Sequence, residues 1–214
     1  MKPPAKICIC LGEIDRKVAL DVVKTEPLCE LRLDLMPEFE PLDELLSAGA
    51  KCVVTCRPNP RQLDSVRLAL LKRAILHPAY AIDLDLDDPL YPDLKEAILI
   101  AGVKLILSYH NFSDTPGIKI LEELRESAFE AGADIFKIAT LTTSKNDIIN
   151  LLSLLEDNRL QIIVGMGELG KVVRVTAPYL GSLFTYVGTA NSSTAPGQLD
   201  IAQLRKCWQI LGEP

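Results

Sequence analysis

Lys137 stands between Phe136 and Ile138 in the run Ala133-Asp134-Ile135-Phe136-Lys137-Ile138-Ala139. A lysine inside a buried strand loses the hydration that an ammonium needs. Burial and nearby cations therefore favour a neutral amine, which is a nucleophile toward a ketone. The bland alternative is an ammonium paired with Asp83 or Asp85, and the pattern alone leaves both readings open. His110 closes the run Leu105-Ile106-Leu107-Ser108-Tyr109-His110. An imidazole at a strand end can take and return a proton at neutral pH, or it can be a hydrogen-bonded core histidine. The chain has two histidines. The other, His77, precedes Pro78 between a helix and a strand and reads as structural.

More charge shares this inward direction. Alternate residues of a strand point to opposite faces. In Glu30-Leu31-Arg32-Leu33-Asp34-Leu35 the leucines take one face and Glu30, Arg32 and Asp34 the other. Ile82, Leu84 and Leu86 likewise leave Asp83 and Asp85 together, Val54 and Cys56 leave Thr55 and Arg57, and Leu107 and Tyr109 leave Ser108 and His110. The carboxylates Glu30, Asp34, Asp83 and Asp85 are thus set against Arg32, Arg57 and Lys137, a near balance that buried charge requires. One such strand is equally well an antiparallel strand with a wet face. Several of them in one chain are not.

The elements that must position these groups alternate strictly. Eight short apolar runs begin KICIC, CELRLDL, KCVVTC, YAIDLDL, VKLILSY, ADIFKIA, QIIVGM and LFTYVG. Helix-like stretches follow them at Arg16–Lys24, Leu42–Ala48, Arg61–Leu76, Tyr91–Ala101, Ile118–Ala131, Lys145–Asp157, Lys171–Ala177 and Ile201–Leu211. Asp43, Asp64 and Ser144 suit helix starts, and Gly49, Gly102 and Gly132 suit helix ends. Eight strand–helix units imply a parallel sheet, and eight is the number that closes a TIM (β/α)8 barrel, an α/β fold whose lower length limit of about 200 residues is close to the 214 here. The alternative is an open doubly wound sheet. Residues 1–214 read as one compact catalytic domain. The strand C-termini form the active-site face of such a barrel, which puts His110 there and His77 on the opposite face.

Gly165-Met166-Gly167-Glu168-Leu169-Gly170 spells GxGxxG. A dinucleotide site would want an acid about 20 residues on, after the next strand, and Thr185–Ala190 supplies none. The glycines are expected to shape a turn that presents Arg174.

Composition narrows the function classes. A net charge of −6 without a basic block argues against nucleic acid and anionic membranes. No apolar stretch is long enough to span a bilayer. Met1–Lys6 is polar and Ile7–Leu11 is too short for a signal-peptide core. Six cysteines without a CxxC pair, beside two histidines, point to reduced buried thiols in the cytoplasm and to no metal site.

Taken in order, these motifs resemble the type I 3-dehydroquinate dehydratases over nearly the whole chain. The most specific stretch is Ile82-Asp83-Leu84-Asp85-Leu86 followed by Leu105-Ile106-Leu107-Ser108-Tyr109-His110-Asn111-Phe112. Glu30-Leu31-Arg32-Leu33-Asp34, Thr55-Cys56-Arg57, Phe136-Lys137, Met166-Gly167 with Gly170 and Arg174, and Ala195-Pro196-Gly197-Gln198 add to it. The resemblance implies a TIM barrel that converts 3-dehydroquinate to 3-dehydroshikimate and water, on the shikimate route to aromatic compounds. It implies that Lys137 forms the imine and His110 is the general acid–base. Arg174 and Gln198 would hold the substrate, with Glu30, Arg32, Arg57 and Asp85 around it and Thr194 where Ser is usual.

No metal and no other cofactor are expected. A homodimer, and fusion or association with shikimate dehydrogenase, are compatible with it. Asp85 replaces a usual Glu, and Val173 a common Ser. Asn111 stands where Asp often follows the histidine, which leaves His110 without a charged neighbour at that point. Pro58-Asn59-Pro60-Arg61 replaces a usual Glu-Gly-Gly segment. The competing readings are another Schiff-base barrel, such as a class I aldolase with a phosphate loop after Tyr186, and a non-catalytic barrel.

Overall fold

The computed structural model describes residues 5–36, 42–60, 62–77, 79–189 and 195–214. Its strands are β1 (Ile7–Leu11), β2 (Leu28–Arg32), β3 (Lys51–Thr55), β4 (Ala81–Asp85), β5 (Lys104–Asn111), β6 (Ile135–Leu141), β7 (Gln161–Met166) and β8 (Thr185–Val187). A helix follows each: α1 (Arg16–Thr25), α2 (Leu42–Ser47), α3 (Asp64–Leu76), α4 (Tyr91–Ala101), α5 (Ile118–Ala131), α6 (Lys145–Ser153), α7 (Gly167–Thr176) and α8 (Ile201–Leu211). All pairings are parallel, in the order β7-β6-β5-β4-β3-β2-β1-β8. The two ends of that series meet just before β8. There the Leu183 amide donates to the Gln161 carbonyl at 2.9 Å and the Ile163 amide to Ser182 Oγ at 3.2 Å. The barrel is thus nearly closed.

The alternation explains the layering. Leu31, Val54, Ile82, Leu84, Leu107, Phe136 and Ile138 face outward into the main core beneath the helices, all fully buried. The inward residues change character along β2 to β6. Leu28, Val53, Ala81, Ile106 and Ile135 fill the barrel floor with apolar side chains. The next inward positions are Glu30, Thr55, Asp83, Ser108 and Lys137, all buried. Barrel interiors are ordinarily branched apolar side chains throughout, so a polar layer above an apolar floor marks where the chemistry sits.

Local signals place the helix ends. Ser144 and Asp147 form a capping box on α6. Gly102 and Gly132 end α4 and α5 in the left-handed region, with φ of 66° and 105°. Three boundaries differ from expectation by more than one residue. α3 begins at Asp64 because the chain first turns back on itself, the Gln62 amide bonding to the Asn59 carbonyl at 2.9 Å. α6 tightens into a 3₁₀ turn at Leu154–Glu156 instead of running to Asp157. α7 starts at Gly167, not Lys171, so most of the glycine motif is the helix start rather than a preceding turn. A Cβ at Gly165 would stand 2.6 Å from Cα of Gly170, inside van der Waals contact. The two glycines let the first turn of α7 lie directly on β7. Among the described residues no helix is long and apolar enough to cross a membrane.

Candidate active site

A cavity of about 480 Å³ opens at the C-terminal ends of the strands, bounded by Glu30, Arg32, Asp34, Arg57, Asp85, His110, Lys137, Arg174, Tyr186 and Gln198. That volume suits a small ring compound. The inward parity of β2 to β6 delivers most of these groups. Arg174 comes from α7, and Gln198 from the segment before α8. Gly197 carries a φ of 69° where its backbone packs on Gly167, and the Gly167 amide donates to the Pro196 carbonyl at 3.2 Å. The close approach pins the Gln198 segment to the start of α7.

Lys137 is 6% exposed. Its Nζ lies 2.7 Å from Asp83 Oδ2 and 3.7 Å from Glu30 Oε1, and 4.4 Å from the centre of the Tyr186 ring. Of the two partners the sequence left open, Asp83 is the one it meets. Glu30 in turn accepts from Thr55 Oγ1 at 2.8 Å. Asp83 has no exposed surface. Burial would favour its neutral acid, but Arg57 and then Lys137 outweigh that and hold the carboxyl well below the usual range.

Arg57 is committed to the protein. Its Nη2 donates to Asp83 Oδ1 at 2.6 Å and to Ser108 Oγ at 2.8 Å. Nη1 is 3.2 Å from Asp85 Oδ1, an ion-pair contact without a well-directed hydrogen bond. The residue before it is anchored by Arg67, wholly buried on α3, whose Nε and Nη2 donate to the Cys56 carbonyl at 3.0 and 2.9 Å. Nη2 also meets Asp88 at 2.6 Å. Arg67 therefore clamps the exits of β3 and β4 together.

His110 Nδ1 is 2.9 Å from Asp85 Oδ1. The charged neighbour that Asn111 does not supply comes from the adjacent strand. Burial lowers the imidazole below its ordinary value; the Asp85 hydrogen bond raises it, while Arg57 and Lys137 lower it further. The net direction is downward, toward a neutral ring at neutral pH. Asp85 stays ionised despite its burial because His110 and Arg57 hold it below the usual range. His77 lies at the other end of the barrel, where it ends α3 and faces Asp43 Oδ1 at 3.1 Å.

Arg174 is 1% exposed. Its Nη1 donates to the Tyr186 carbonyl at 3.3 Å, and Nε and Nη2 have no partner among the described residues. Burial pushes this guanidinium down to about 10, with Cys10 opposing. A fork of unmet donors on a cavity wall is suited to a planar anion such as a carboxylate. Arg32 is paired with Asp34 through bonds of 3.0 and 2.7 Å. Gln198 Nε2 donates to Cys10 Sγ at 3.3 Å. Thr194 lies outside the described residues, as do 190–193 of the loop considered for phosphate.

The structure thus gathers Lys137, His110, Glu30, Arg32, Arg57, Asp85, Arg174 and Gln198 around one cavity. Sequence reasoning passed over Tyr186 and Cys10 as site residues, and gave Asp83 only the place of one of two candidate partners for Lys137. The signal for all three was parity: Tyr186 alternates with Thr185 and Val187, Cys10 with Ile9 and Leu11, and Asp83 shares the face of Asp85.

Comparison with known proteins shows the family and the fold. The type I 3-dehydroquinase family matches residues 7–214. A 3-dehydroquinate dehydratase of Methanocaldococcus jannaschii is 33% identical over 217 residues, covering 95% of this chain and 98% of its own length. The crystal structure of the Aquifex aeolicus 3-dehydroquinate dehydratase superposes with a TM-score of 0.83 at 26% identity, over 98% of this chain and 100% of that one. A chain from S. pombe named as dehydroquinate dehydratase and shikimate dehydrogenase shares the fold at 20% identity and a TM-score of 0.78; 99% of this chain matches 45% of it. The chain belongs to the type I 3-dehydroquinase family.

Proposed function

We propose that this chain dehydrates 3-dehydroquinate to 3-dehydroshikimate through an imine on Lys137, with His110 as the general acid–base and Arg174 binding the substrate carboxylate. Family membership supplies the reaction, a hydro-lyase step. The observation that carries the mechanism is the buried Lys137 nitrogen on a cavity shared with His110, whose shift favours the neutral ring, and with Arg174, whose donors are unmet. The lysine nitrogen adds to the ketone and water leaves, giving an iminium that draws electrons from the adjacent carbon. His110, oriented by Asp85 through Nδ1, takes a proton from that carbon at Nε2. The enamine then expels the hydroxyl from the next carbon, and His110 returns the proton so that it leaves as water. A water molecule then hydrolyses the product iminium, which frees 3-dehydroshikimate and Lys137. Glu30, Arg32, Thr194 and Gln198 complete the substrate contacts, and Arg57 acts mainly by fixing Asp83 and Asp85.

The six cysteines are free, which supports a reducing, cytoplasmic location. A homodimer, and hand-over of the product ketone to shikimate dehydrogenase, are part of the same reading. The fused S. pombe protein supports the second.

Mass spectrometry after borohydride reduction with 3-dehydroquinate tests the mechanism. The adduct should map to Lys137 and vanish in Lys137→Ala. An adduct on Lys104 or Lys171 would overturn it.

A further inference from the structure

Asp83 has no part in that mechanism, yet it touches the nitrogen that reacts. It is fully buried on β4. Donors from three other segments hold it: Lys137 of β6 on Oδ2 at 2.7 Å, and on Oδ1 Arg57 after β3 at 2.6 Å and Ser108 of β5 at 2.7 Å. It cannot swing away without stripping these bonds. An anion this well stabilised is also a poor base. What it offers is a fixed negative charge at Nζ.

We infer that Asp83 is the counter-ion of the reacting nitrogen, balancing the Lys137 ammonium in the free enzyme and, without moving, the iminium that replaces it. The inference rests on the imine reading above. In that step the ammonium gives one proton to neutral His110 and its freed electron pair forms the bond to the ketone carbon. A second proton passes from nitrogen to the former carbonyl oxygen. The resulting hydroxyl departs as water with the proton held by His110, and the carbon–nitrogen double bond forms. Ammonium plus ketone become iminium plus water, with one positive charge on nitrogen before and after. An anion already aimed at that point needs no reorganisation. When the later enamine leaves the nitrogen neutral, Arg57 still pairs Asp83.

The other groups facing Nζ do not replace it. Glu30 of β2 is farther, at 3.7 Å, and is bound by Thr55. Tyr186 of β8 and Cys8 of β1 are both pushed well up by burial, which keeps them neutral. Cys10 of β1 lies beside Gln198 instead. His110 of β5 and Arg57 contribute no negative charge. β7 presents the apolar Ile162 and Val164.

The test is cyanoborohydride trapping with 3-dehydroquinate over a pH series, with the adduct quantified by mass spectrometry. Wild type should be trapped on Lys137 up to an alkaline limit where the iminium loses its proton. Asp83→Asn should lower that limit by about one pH unit or more, the size of effect expected from removing an opposite charge in contact. Asp83→Glu should restore most of it, and Glu30→Gln should shift it less. An unchanged limit in folded Asp83→Asn would overturn the inference while leaving the imine reading intact; absence of a Lys137 adduct in wild type would overturn that reading itself. If Asp83→Asn does not fold, Asp83→Asn/Lys137→Met should fold and melt higher than the single variant, because the cation needing balance is gone. A double variant no better than the single one would also sink the inference.

Discussion

Asp85 Oδ1 lies 2.9 Å from Nδ1 of His110 across the β4–β5 boundary, and Asp85 is held ionised. A carboxylate there takes the Nδ1 proton, which leaves Nε2 as the basic nitrogen. No described residue bonds Nε2, so it remains available to a ligand in the cavity.

This pair sets the pH dependence. Burial first, then Arg57 and Lys137, hold His110 below its ordinary value. Activity that needs the neutral ring should be full at neutral pH and fall only as the pH drops below the usual histidine range. Asp85→Asn removes the largest influence raising His110, so the acid limb of kcat/KM should move to still lower pH. The rate should fall by about 10²- to 10⁴-fold because the tautomer is no longer enforced. An acid limb that moved upward would contradict the assignment.

His110→Ala should remain folded and turn over at least about 100-fold more slowly, the lower end for loss of a general acid–base. Some adduct should still be trapped, because the nucleophile is Lys137. His77→Ala is the control, since His77 faces Asp43 at the far end of the barrel. Near-normal turnover in His110→Ala together with loss in His77→Ala would reverse the face assignment.

Arg174 holds a buried charge with two of its three nitrogens unmet, which costs stability in the free protein. Arg174→Met should therefore raise thermal stability, by about 1–4 kcal/mol if the chain repacks well. KM should rise far more than kcat falls, through loss of the carboxylate fork. Calorimetry and steady-state kinetics on the same preparation check both directions. A destabilised variant with unchanged KM would make Arg174 a structural residue.

Gly170→Ala places a methyl group against the Gly165 backbone. The first turn of α7 must lift, which should cost about 1–3 kcal/mol and weaken substrate binding because Arg174 lies one turn further along the same helix. Thermal melts with and without substrate measure the two effects. Unchanged stability would show that the strand–helix contact yields easily.

Much was already written in the order and type of residues. The alternation of Ile82-Asp83-Leu84-Asp85 and of Leu107-Ser108-Tyr109-His110 requires those polar groups to leave the apolar face. Eight strands interleaved with helices imply a parallel sheet, and β2 to β6 give its interior a polar layer. Parity states a direction, though, and not a neighbour. Asp83 and Asp85 share one face of one strand. Yet one meets Lys137 and the other His110, because that choice depends on the register between strands and on how the barrel closes. Only the folded chain shows Arg57 spent on two carboxylates. Only the fold leaves Arg174 with unmet donors, since its surroundings come from α7, β1 and β8, far apart in sequence. The start of α7 was hidden for a related reason: glycine is a poor helix former, and local preference could not foresee that Gly165 and Gly170 are needed to bring the helix down onto its strand.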